Sequence, residues 1–176
     1  TREEAIRGTS PAMILRALLL LCCLPLSLPA ATPGEPAPPL VASELRSAEP
    51  VDLAALRGRV VLVDFWASWC APCLKSLPLY QTLREEWPRA DFEILAVNVD
   101  EDVADAHDFL SRVQVEFPIV HDDGRLASAW APPAMPSAYL IDRDGRIHSR
   151  HLGFRPGDID GLRNEVRHLI EARDAP

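Results

Sequence analysis

Two continuous apolar stretches, at residues 59–66 and 92–99, restrict the possible folds of this chain more than any other feature. They read Arg-Val-Val-Leu-Val-Asp-Phe-Trp and Phe-Glu-Ile-Leu-Ala-Val-Asn-Val, so β-branched and other apolar residues dominate both. Runs of this length and composition are typical of buried β-strands. We therefore expect both stretches to lie in the interior of a sheet.

Helical spacing of apolar residues recurs between and after these stretches, at residues 73–88, 100–113, 126–130 and 156–170, with one further turn at 53–58. Shorter strands are predicted at residues 117–120, 137–141 and 146–151. The turn between the last two ends at Gly145 and is typical of a hairpin. The resulting βαβαββα order predicts an α/β fold in three layers, α/β/α, with a central mixed sheet and helices on both of its faces.

The first 39 residues are expected to lie outside the folded domain. Residues 17–24 are almost wholly apolar and follow Arg16, and small residues and prolines come next, an arrangement typical of a signal peptide. The apolar stretch is shorter than the roughly 20 residues of a membrane-spanning helix, which favours a cleaved signal peptide over a membrane anchor. Residues 32–39 hold four prolines and predict an extended, semi-rigid linker. We therefore expect an exported, periplasmic protein with one folded domain over residues 40–176.

Composition excludes some functions and directs attention to one pair of cysteines. Hydrophobic residues make up 48% and charged residues 25% of the 176 residues, which is sufficient for a globular core. The net charge of −8 argues against nucleic-acid binding, because phosphate contacts need clustered Lys and Arg. Of the four cysteines, Cys22 and Cys23 lie in the leucine-rich targeting segment, whereas Cys70 and Cys73 lie inside the predicted domain.

The residues from Val63 to Cys73, Val-Asp-Phe-Trp-Ala-Ser-Trp-Cys-Ala-Pro-Cys, resemble the active site of the thioredoxin superfamily. The cysteine pair follows a predicted strand, begins a predicted helix and is followed by Pro78, as in thioredoxins. Residues 135–145 and 152–154 are similar to the exported TlpA and ResA branch of that superfamily. The resemblance implies a thioredoxin-like fold and a thiol-disulfide oxidoreductase that reduces disulfides of exported proteins, or the cysteines of apocytochromes. A membrane thiol donor would supply the electrons.

Cys70 and Cys73 are the candidate catalytic residues. A cysteine at the N-terminus of a helix faces free backbone N–H groups and the positive end of the helix dipole, which lowers the pKa of its thiol. Cys70 occupies such a place, so we expect it to attack the substrate disulfide, while Cys73 closes the disulfide and resolves the mixed intermediate. Pro72 has no backbone N–H group, which costs little at the start of a helix because the first N–H groups there have no partner within the helix. The small side chain of Ala71 leaves the approach to Cys70 open.

Asp64 lies in the middle of the first apolar stretch. Burying a carboxylate without a partner costs several kcal/mol unless the pKa of the group rises, so this residue needs an explanation. In thioredoxins the matching Asp lies beneath the disulfide, and the resemblance implies that Asp64 acts as a general base toward Cys73. A strand-end Asp that reaches solvent or caps a neighbour is the alternative.

A substrate-binding surface is expected around the cysteine pair. Pro136 matches a proline that is cis in this superfamily and lies opposite the disulfide. The resemblance also implies that the backbone of Met135 pairs with an extended substrate strand. The alternative is that the Met135 side chain only fills space in the apolar core. Trp69, Ala71 and Pro72 complete the expected surface.

Two other functions stay open from the sequence. A peroxiredoxin shares the fold, although its motif places Thr or Ser where this chain has Ala67. A Cu(I) carrier would use Cys70 and Cys73 as soft ligands, with Met135 nearby. Exported reductases often have Glu where this chain has Ser76, which weakens an assignment to cytochrome maturation. We expect no metal, because tetrahedral zinc would need two further Cys or His ligands, and we expect no cofactor. The protein is further expected to be a monomer that acts on protein disulfides and binds no nucleic acid.

Overall fold

The computed structural model describes residues 31–172, so the predictions for the signal peptide and for Cys22 and Cys23 lie outside the described residues. The strands of this part are β1 (Val41–Ser43), β2 (Pro50–Asp52), β3 (Val60–Trp66), β4 (Phe92–Asn98), β5 (Ile119–His121), β6 (Ser137–Ile141) and β7 (Ile147–Leu152). Its α-helices are α1 (Cys73–Glu85), α2 (Val103–Leu110), α3 (Arg125–Trp130) and α4 (Asp158–Glu171). A short 3-10 helix, Leu53–Leu56, lies between β2 and β3.

Five of the strands form one mixed sheet in the order β5-β4-β3-β6-β7. The central strand, β3, is parallel to β4 and antiparallel to β6, and it aligns Asp64 with Ala96 on one side and Ala138 on the other. On the outside, β5 continues the parallel half and β7 the antiparallel half. Every residue of β3 and β4 is buried, as their apolar composition predicts.

The side chains of β3 alternate between two separate cores, one on each face of the sheet. Leu62 and Trp66 pack with α1, α2 and α4. Val63 and Phe65 pack on the other face with α3 and with the residues that precede β3, Val51 among them. A mixed sheet between two such layers confirms the predicted thioredoxin-like α/β/α architecture.

The helical turn predicted at residues 53–58 agrees with the 3-10 helix Leu53–Leu56, but the other structure before β3 was not predicted. Strands β1 and β2 pair as an antiparallel hairpin apart from the main sheet. Residues 34–37, predicted as part of a linker, dock beside the β6–β7 connection, where the N–H of Gly34 donates to the C=O of Ile147 (2.7 Å) and that of Ala37 to Gly145 (3.0 Å). Strands of three residues are too short to show a hydrophobic period, and the partners of residues 34–37 lie more than 100 positions away in sequence.

Two helices begin later than predicted. Helix α2 begins at Val103 rather than at residue 100, because the carboxylate of Asp102 accepts a hydrogen bond from the N–H of Ala104 (2.9 Å) and caps the helix. Helix α4 begins at Asp158 rather than at Pro156.

Candidate active site

The cysteine pair lies where β3 ends and α1 begins. After Trp66 the chain leaves the sheet and makes a turn in which the N–H of Cys73 donates to the C=O of Cys70 (3.0 Å). The structure joins Cys70 and Cys73 in a disulfide, with their Cα atoms 5.3 Å apart. Cys73 is the first residue of α1, so Cys70 lies three residues ahead of the helix, at its positively polarised end.

Both cysteines are buried in this oxidised form, Cys70 at 3% and Cys73 at 0% exposure, and both belong to the same apolar core. They differ in their neighbours along the chain. Trp69 is 68% exposed, and Ala71 and Pro72 are exposed as well. These three residues flank Cys70 along the chain, so a partner that reaches its sulfur meets them first.

Asp64 is buried among apolar side chains. It lies on the face of β3 that carries Leu62 and Trp66, which is the face covered by α1 and Cys73. The side chain is 0% exposed and neither carboxyl oxygen has a hydrogen-bond partner. This desolvation raises the pKa of Asp64 well above its ordinary value. The alternative of an Asp that reaches solvent or caps a neighbour is therefore wrong, and the buried carboxyl is suited to proton exchange.

Pro136 follows a cis peptide bond with Met135, as the resemblance implies. Strand β6 begins at Ser137, which is aligned with Phe65 near the end of β3, so Met135 and Pro136 lie at the sheet edge from which the Cys70 turn departs. The Met135 side chain packs against both apolar cores, in agreement with its alternative role as core filling. Within residues 31–172, its N–H and C=O have no backbone hydrogen-bond partner, so they are also free for a substrate strand.

Asp100 is a site residue that the sequence analysis missed. Its carboxylate accepts hydrogen bonds from the N–H of Ser68 (2.9 Å) and from the Ser68 hydroxyl (2.9 Å), and a further one from the side-chain amide of Asn98 (2.7 Å). Asp100 is 3% exposed, so it holds the turn that carries Cys70 against the end of β4 from inside the protein. An available signal was that Ser68 and Asp100 each come shortly after a predicted strand, since parallel neighbours end at the same edge of a sheet.

Tyr80 is a second residue near the site that the sequence analysis did not single out. It lies on α1, is 1% exposed and packs its ring against the edge of Phe154, with ring centroids 5.4 Å apart. Burial raises the pKa of Tyr80 well above its ordinary value, and the charges of Asp64 and Asp158 raise it further. In the sequence Tyr80 is one member of an apolar helical stripe, so no local signal distinguishes it.

A cavity of about 280 Å³ opens beside Tyr80, between α1, β7 and the start of α4. Tyr80, Phe154, Asp158 and His151 are among the residues that line it. Tyr80 therefore lies between the core that contains Asp64 and a space that is open to water.

No group of three or more His, Cys, Asp or Glu side chains in residues 31–172 is arranged to hold a metal ion. In that part of the chain, no helix is both long and apolar enough to cross a bilayer. The expectation that the protein needs neither metal nor cofactor stays a prediction.

The comparison with known proteins agrees with this geometry. Residues 32–166 match the protein family described as redoxin. This chain belongs to the redoxin family. A thiol-disulfide oxidoreductase ResA from Bacillus cereus is 29% identical over 121 residues, which cover 68% of this chain and 69% of the relative. The ResA of Geobacillus thermodenitrificans is 35% identical over 115 residues, covering 65% and 66%.

A solved structure shows the same likeness. A crystal structure from Chlorobium tepidum, assigned as the thiol:disulfide interchange protein DsbE, has a TM-score of 0.75 and 33% identity, and the match covers 80% of this chain and 99% of that one. Together these relatives confirm the predicted thioredoxin superfamily and its ResA-like branch. They also confirm the predicted class of activity, a thiol-disulfide oxidoreductase, for which Cys70 and Cys73 are joined in the required disulfide.

Proposed function

We propose that the protein reduces disulfide bonds of exported proteins in the periplasm, by thiol-disulfide exchange through Cys70 and Cys73. The observation that carries the proposal is the asymmetry of the pair: Cys70 precedes α1 between the exposed Trp69 and the exposed Ala71 and Pro72, whereas Cys73 is the first residue of α1 and is 0% exposed. A partner that contacts these exposed neighbours is therefore expected to meet the sulfur of Cys70 rather than that of Cys73. Exchange through a mixed disulfide needs these two separate roles.

The first step joins Cys70 to the substrate. In the reduced protein, the Cys70 thiolate attacks one sulfur of the substrate disulfide, that S–S bond breaks, and one substrate cysteine leaves as a thiolate. The Cys70–substrate mixed disulfide is the product. The position of Cys70 ahead of α1 supports this role, because the helix dipole and the first N–H groups of a helix stabilise an anion.

The second step releases the substrate. Cys73 loses its thiol proton to Asp64, and the resulting thiolate attacks Cys70, so that the mixed disulfide breaks and the second substrate cysteine leaves as a thiolate. The protein ends with the Cys70–Cys73 disulfide, and the substrate has gained both electrons. A carboxyl with a raised pKa supports this assignment of Asp64, since it binds a proton more readily than an ordinary Asp at neutral pH.

The substrate is expected to dock as an extended strand beside Met135. The free backbone groups of Met135 support this pairing, and main-chain hydrogen bonds accept many sequences. Trp69, Ala71 and Pro72 add an apolar contact surface next to Cys70. Such docking suits an enzyme that acts on several protein substrates as a monomer.

The proposed periplasmic location of the protein and the proposed source of its electrons are supported by the apolar segment at residues 17–24 and by the ResA-like relatives. Each turnover leaves Cys70 and Cys73 oxidised, so a membrane thiol donor must reduce them again. The dithiol carries both electrons itself and needs no cofactor. Ser76 occupies the position where exported reductases often have Glu. It is buried and donates its hydroxyl hydrogen to the C=O of Cys73 (3.4 Å). The Ser in place of Glu favours general disulfide reduction over cytochrome maturation.

A redox titration of the cysteine pair tests the proposed direction. The protein is equilibrated with glutathione buffers of known potential, alkylated, and scored by the mass shift of free thiols. A reductase is expected to lie near the about −270 mV of thioredoxin, whereas a value near the about −120 mV of DsbA would show an oxidant instead.

A parallel assay separates the enzyme from a copper carrier and from a peroxidase. Reduced protein is titrated anaerobically with Cu(I), and turnover is measured with insulin and with hydrogen peroxide. Insulin reduction is the expected result. Tight stoichiometric copper binding, or peroxide consumption, without insulin reduction would overturn the proposal.

A further inference from the structure

The N–H group of Met135 is available to a substrate strand, and its use in docking depends on the direction in which it points. Within residues 31–172, neither this N–H nor the C=O of Met135 has a backbone hydrogen-bond partner. Met135 lies in the loop 131–136, which joins the end of α3 to the start of β6. A donor on a loop binds most tightly when the loop already holds it in the bound orientation, because ordering the loop would otherwise cost binding free energy.

The peptide plane that carries this N–H also carries the C=O of Ala134. The peptide planes that lead into Pro132, Pro133 and Pro136 are restricted in their rotation, since a proline ring fixes the φ angle of its residue. The Ala134–Met135 plane turns about ψ of Ala134 and φ of Met135, and no ring fixes either angle. A contact from outside the loop is therefore needed to hold this plane.

Ser137 supplies that contact. Its hydroxyl donates a hydrogen bond to the C=O of Ala134 (2.6 Å). The Ser137 side chain is 0% exposed, and its residue is aligned in the sheet between Phe65 of β3 and Leu152 of β7. The donor is therefore fixed by two neighbouring strands, and its hydrogen bond attaches the loop to the sheet.

The direction of this hydrogen bond determines the direction of the Met135 N–H. In residues 31–172 the only cis peptide bond is Met135–Pro136, so the Ala134–Met135 bond is trans. In a trans peptide the C=O and the N–H point in opposite directions. Because the C=O of Ala134 points toward the buried Ser137, the N–H of Met135 points away from it. Rotation of the plane by half a turn would exchange the two groups and turn the donor inward.

We propose that Ser137 is a positioning residue for substrate docking: its buried hydroxyl holds the Ala134–Met135 peptide plane so that the Met135 N–H points toward the main chain of the substrate. The group that this N–H binds is an unpaired C=O of an extended substrate segment beside the reacting cysteine. Unfolded segments and exposed strand edges offer such a C=O, whereas the interior of a helix does not. The inference rests on the proposed function and deepens it, since it states which part of the substrate is recognised.

Steady-state kinetics with insulin as the substrate test the role of the hydroxyl. Ser137→Ala is expected to raise the KM about threefold to tenfold, the range that the loss of one hydrogen bond produces, and to leave kcat within about twofold. Ser137→Thr keeps the hydroxyl and is expected to restore a wild-type KM. If Ser137 only stabilised the fold, Ser137→Ala would lower the urea midpoint of unfolding without this selective change in KM.

Ser111→Ala is the matched control. The Ser111 hydroxyl donates to the C=O of Asp108 (2.7 Å), also three residues earlier in the chain, but it does so at the end of α2. Its loss is expected to leave both the KM and kcat for insulin unchanged.

A synthetic peptide tests the main-chain contact itself. The probe is a short peptide with one central cysteine in a disulfide with glutathione, and its amide bonds are replaced by ester bonds one at a time. An ester C=O is a weaker hydrogen-bond acceptor than an amide C=O, so replacement at one position is expected to raise the KM of the wild type. With Ser137→Ala the same replacement is expected to cause no further increase, because the N–H that it weakens is already misplaced.

Several outcomes would overturn the inference while insulin is still reduced. These are a wild-type KM for Ser137→Ala, an ester effect of equal size in wild type and Ser137→Ala, and a Ser137→Thr protein that unfolds at the wild-type urea concentration but keeps a raised KM. The absence of any ester position that raises the KM of the wild type would also overturn it, and that measurement does not require a variant to fold. If the wild type reduces neither insulin nor the peptide, the proposed function itself has failed.

Discussion

The carboxylate of Asp100 accepts hydrogen bonds from both the backbone N–H and the side-chain hydroxyl of Ser68, each at 2.9 Å. Ser68 lies two residues before Cys70, in the turn that presents the cysteine, and Asp100 lies just beyond the end of β4. Asn98 adds a bond to Asp100 and links it to Nδ1 of His121 on β5 (2.9 Å from the Asn98 oxygen). The position of the attacking sulfur therefore depends on the ends of two neighbouring strands.

Removing this carboxylate is expected to loosen the turn. Asp100→Ala should lower the free energy of unfolding by about 1–3 kcal/mol, because it leaves the buried amide of Asn98 and the half-buried donors of Ser68 without their partner, and it should slow insulin reduction. Ser68→Ala removes only the hydroxyl bond and should cost about 0.5–1.5 kcal/mol. Urea unfolding and an insulin assay measure both effects. The exposed neighbour Glu101→Ala is the control, and equal losses for Glu101 and Asp100 would contradict the role given to Asp100.

The two cysteines are expected to behave differently when one is replaced. Cys73→Ser leaves Cys70, which lies between exposed residues, to attack but removes the sulfur that resolves the intermediate, so mixed disulfides with partner proteins should accumulate. Cys70→Ser should give neither turnover nor trapped partners, because the remaining sulfur belongs to α1 and is 0% exposed. Non-reducing gels and mass spectrometry detect the trapped species. Trapping by Cys70→Ser alone would reverse the assigned roles, and the double serine variant gives the background.

Asp64 is expected to make the protein less stable as pH rises. The pKa of the folded-state carboxyl is raised above the ordinary value of 3.8 by desolvation, so between those two pKa values the folded state holds a proton that the unfolded chain has lost. The free energy of unfolding must fall as pH rises through that window. Asp64→Val should remove this dependence and be more stable by about 1–3 kcal/mol at alkaline pH, with the difference shrinking toward acidic pH.

Urea unfolding of the oxidised proteins from about pH 5 to about pH 9 measures this slope without thiol ionisation. Asp108→Val on the exposed side of α2 serves as the control and should leave the slope unchanged. A wild-type stability that rises with pH relative to Asp64→Val would show that the carboxyl is stabilised as an anion instead.

Trp69 is expected to contribute to substrate binding and little to folding. Its side chain is 68% exposed beside Cys70, so Trp69→Ala removes apolar surface that a docked partner would cover. The KM for insulin should rise about threefold to tenfold, since lost interface contacts of an aromatic residue cost about 1 kcal/mol or more. The unfolding free energy should change by no more than about 0.5 kcal/mol. Val41→Ala, at an exposed residue of β1 outside the main sheet, should change neither quantity.

The sequence by itself determined the central strands and the reactive pair and placed Asp64 within a strand, while it left open whether Asp64 reaches solvent. These features follow from local pattern: continuous apolar runs predict buried strands, and alternation at period two places Asp64 on the same face as Leu62 and Trp66. The Cys-x-x-Cys spacing lies within one turn, so the disulfide between Cys70 and Cys73 needed no knowledge of distant contacts.

Only the tertiary structure decided the docking of residues 34–37, the Ser68–Asp100 bonds and the cavity beside Tyr80. Each of these brings together residues from separate segments, and Ser68 and Asp100 are 32 positions apart. Their contact exists because β3 and β4 pair in parallel and end at one edge of the sheet. Hydrophobic periodicity shows which face of a helix or strand is buried, but it does not show which distant residue packs against that face. The sequence therefore predicted the reactive cysteines, whereas the residues that surround them were determined by tertiary packing.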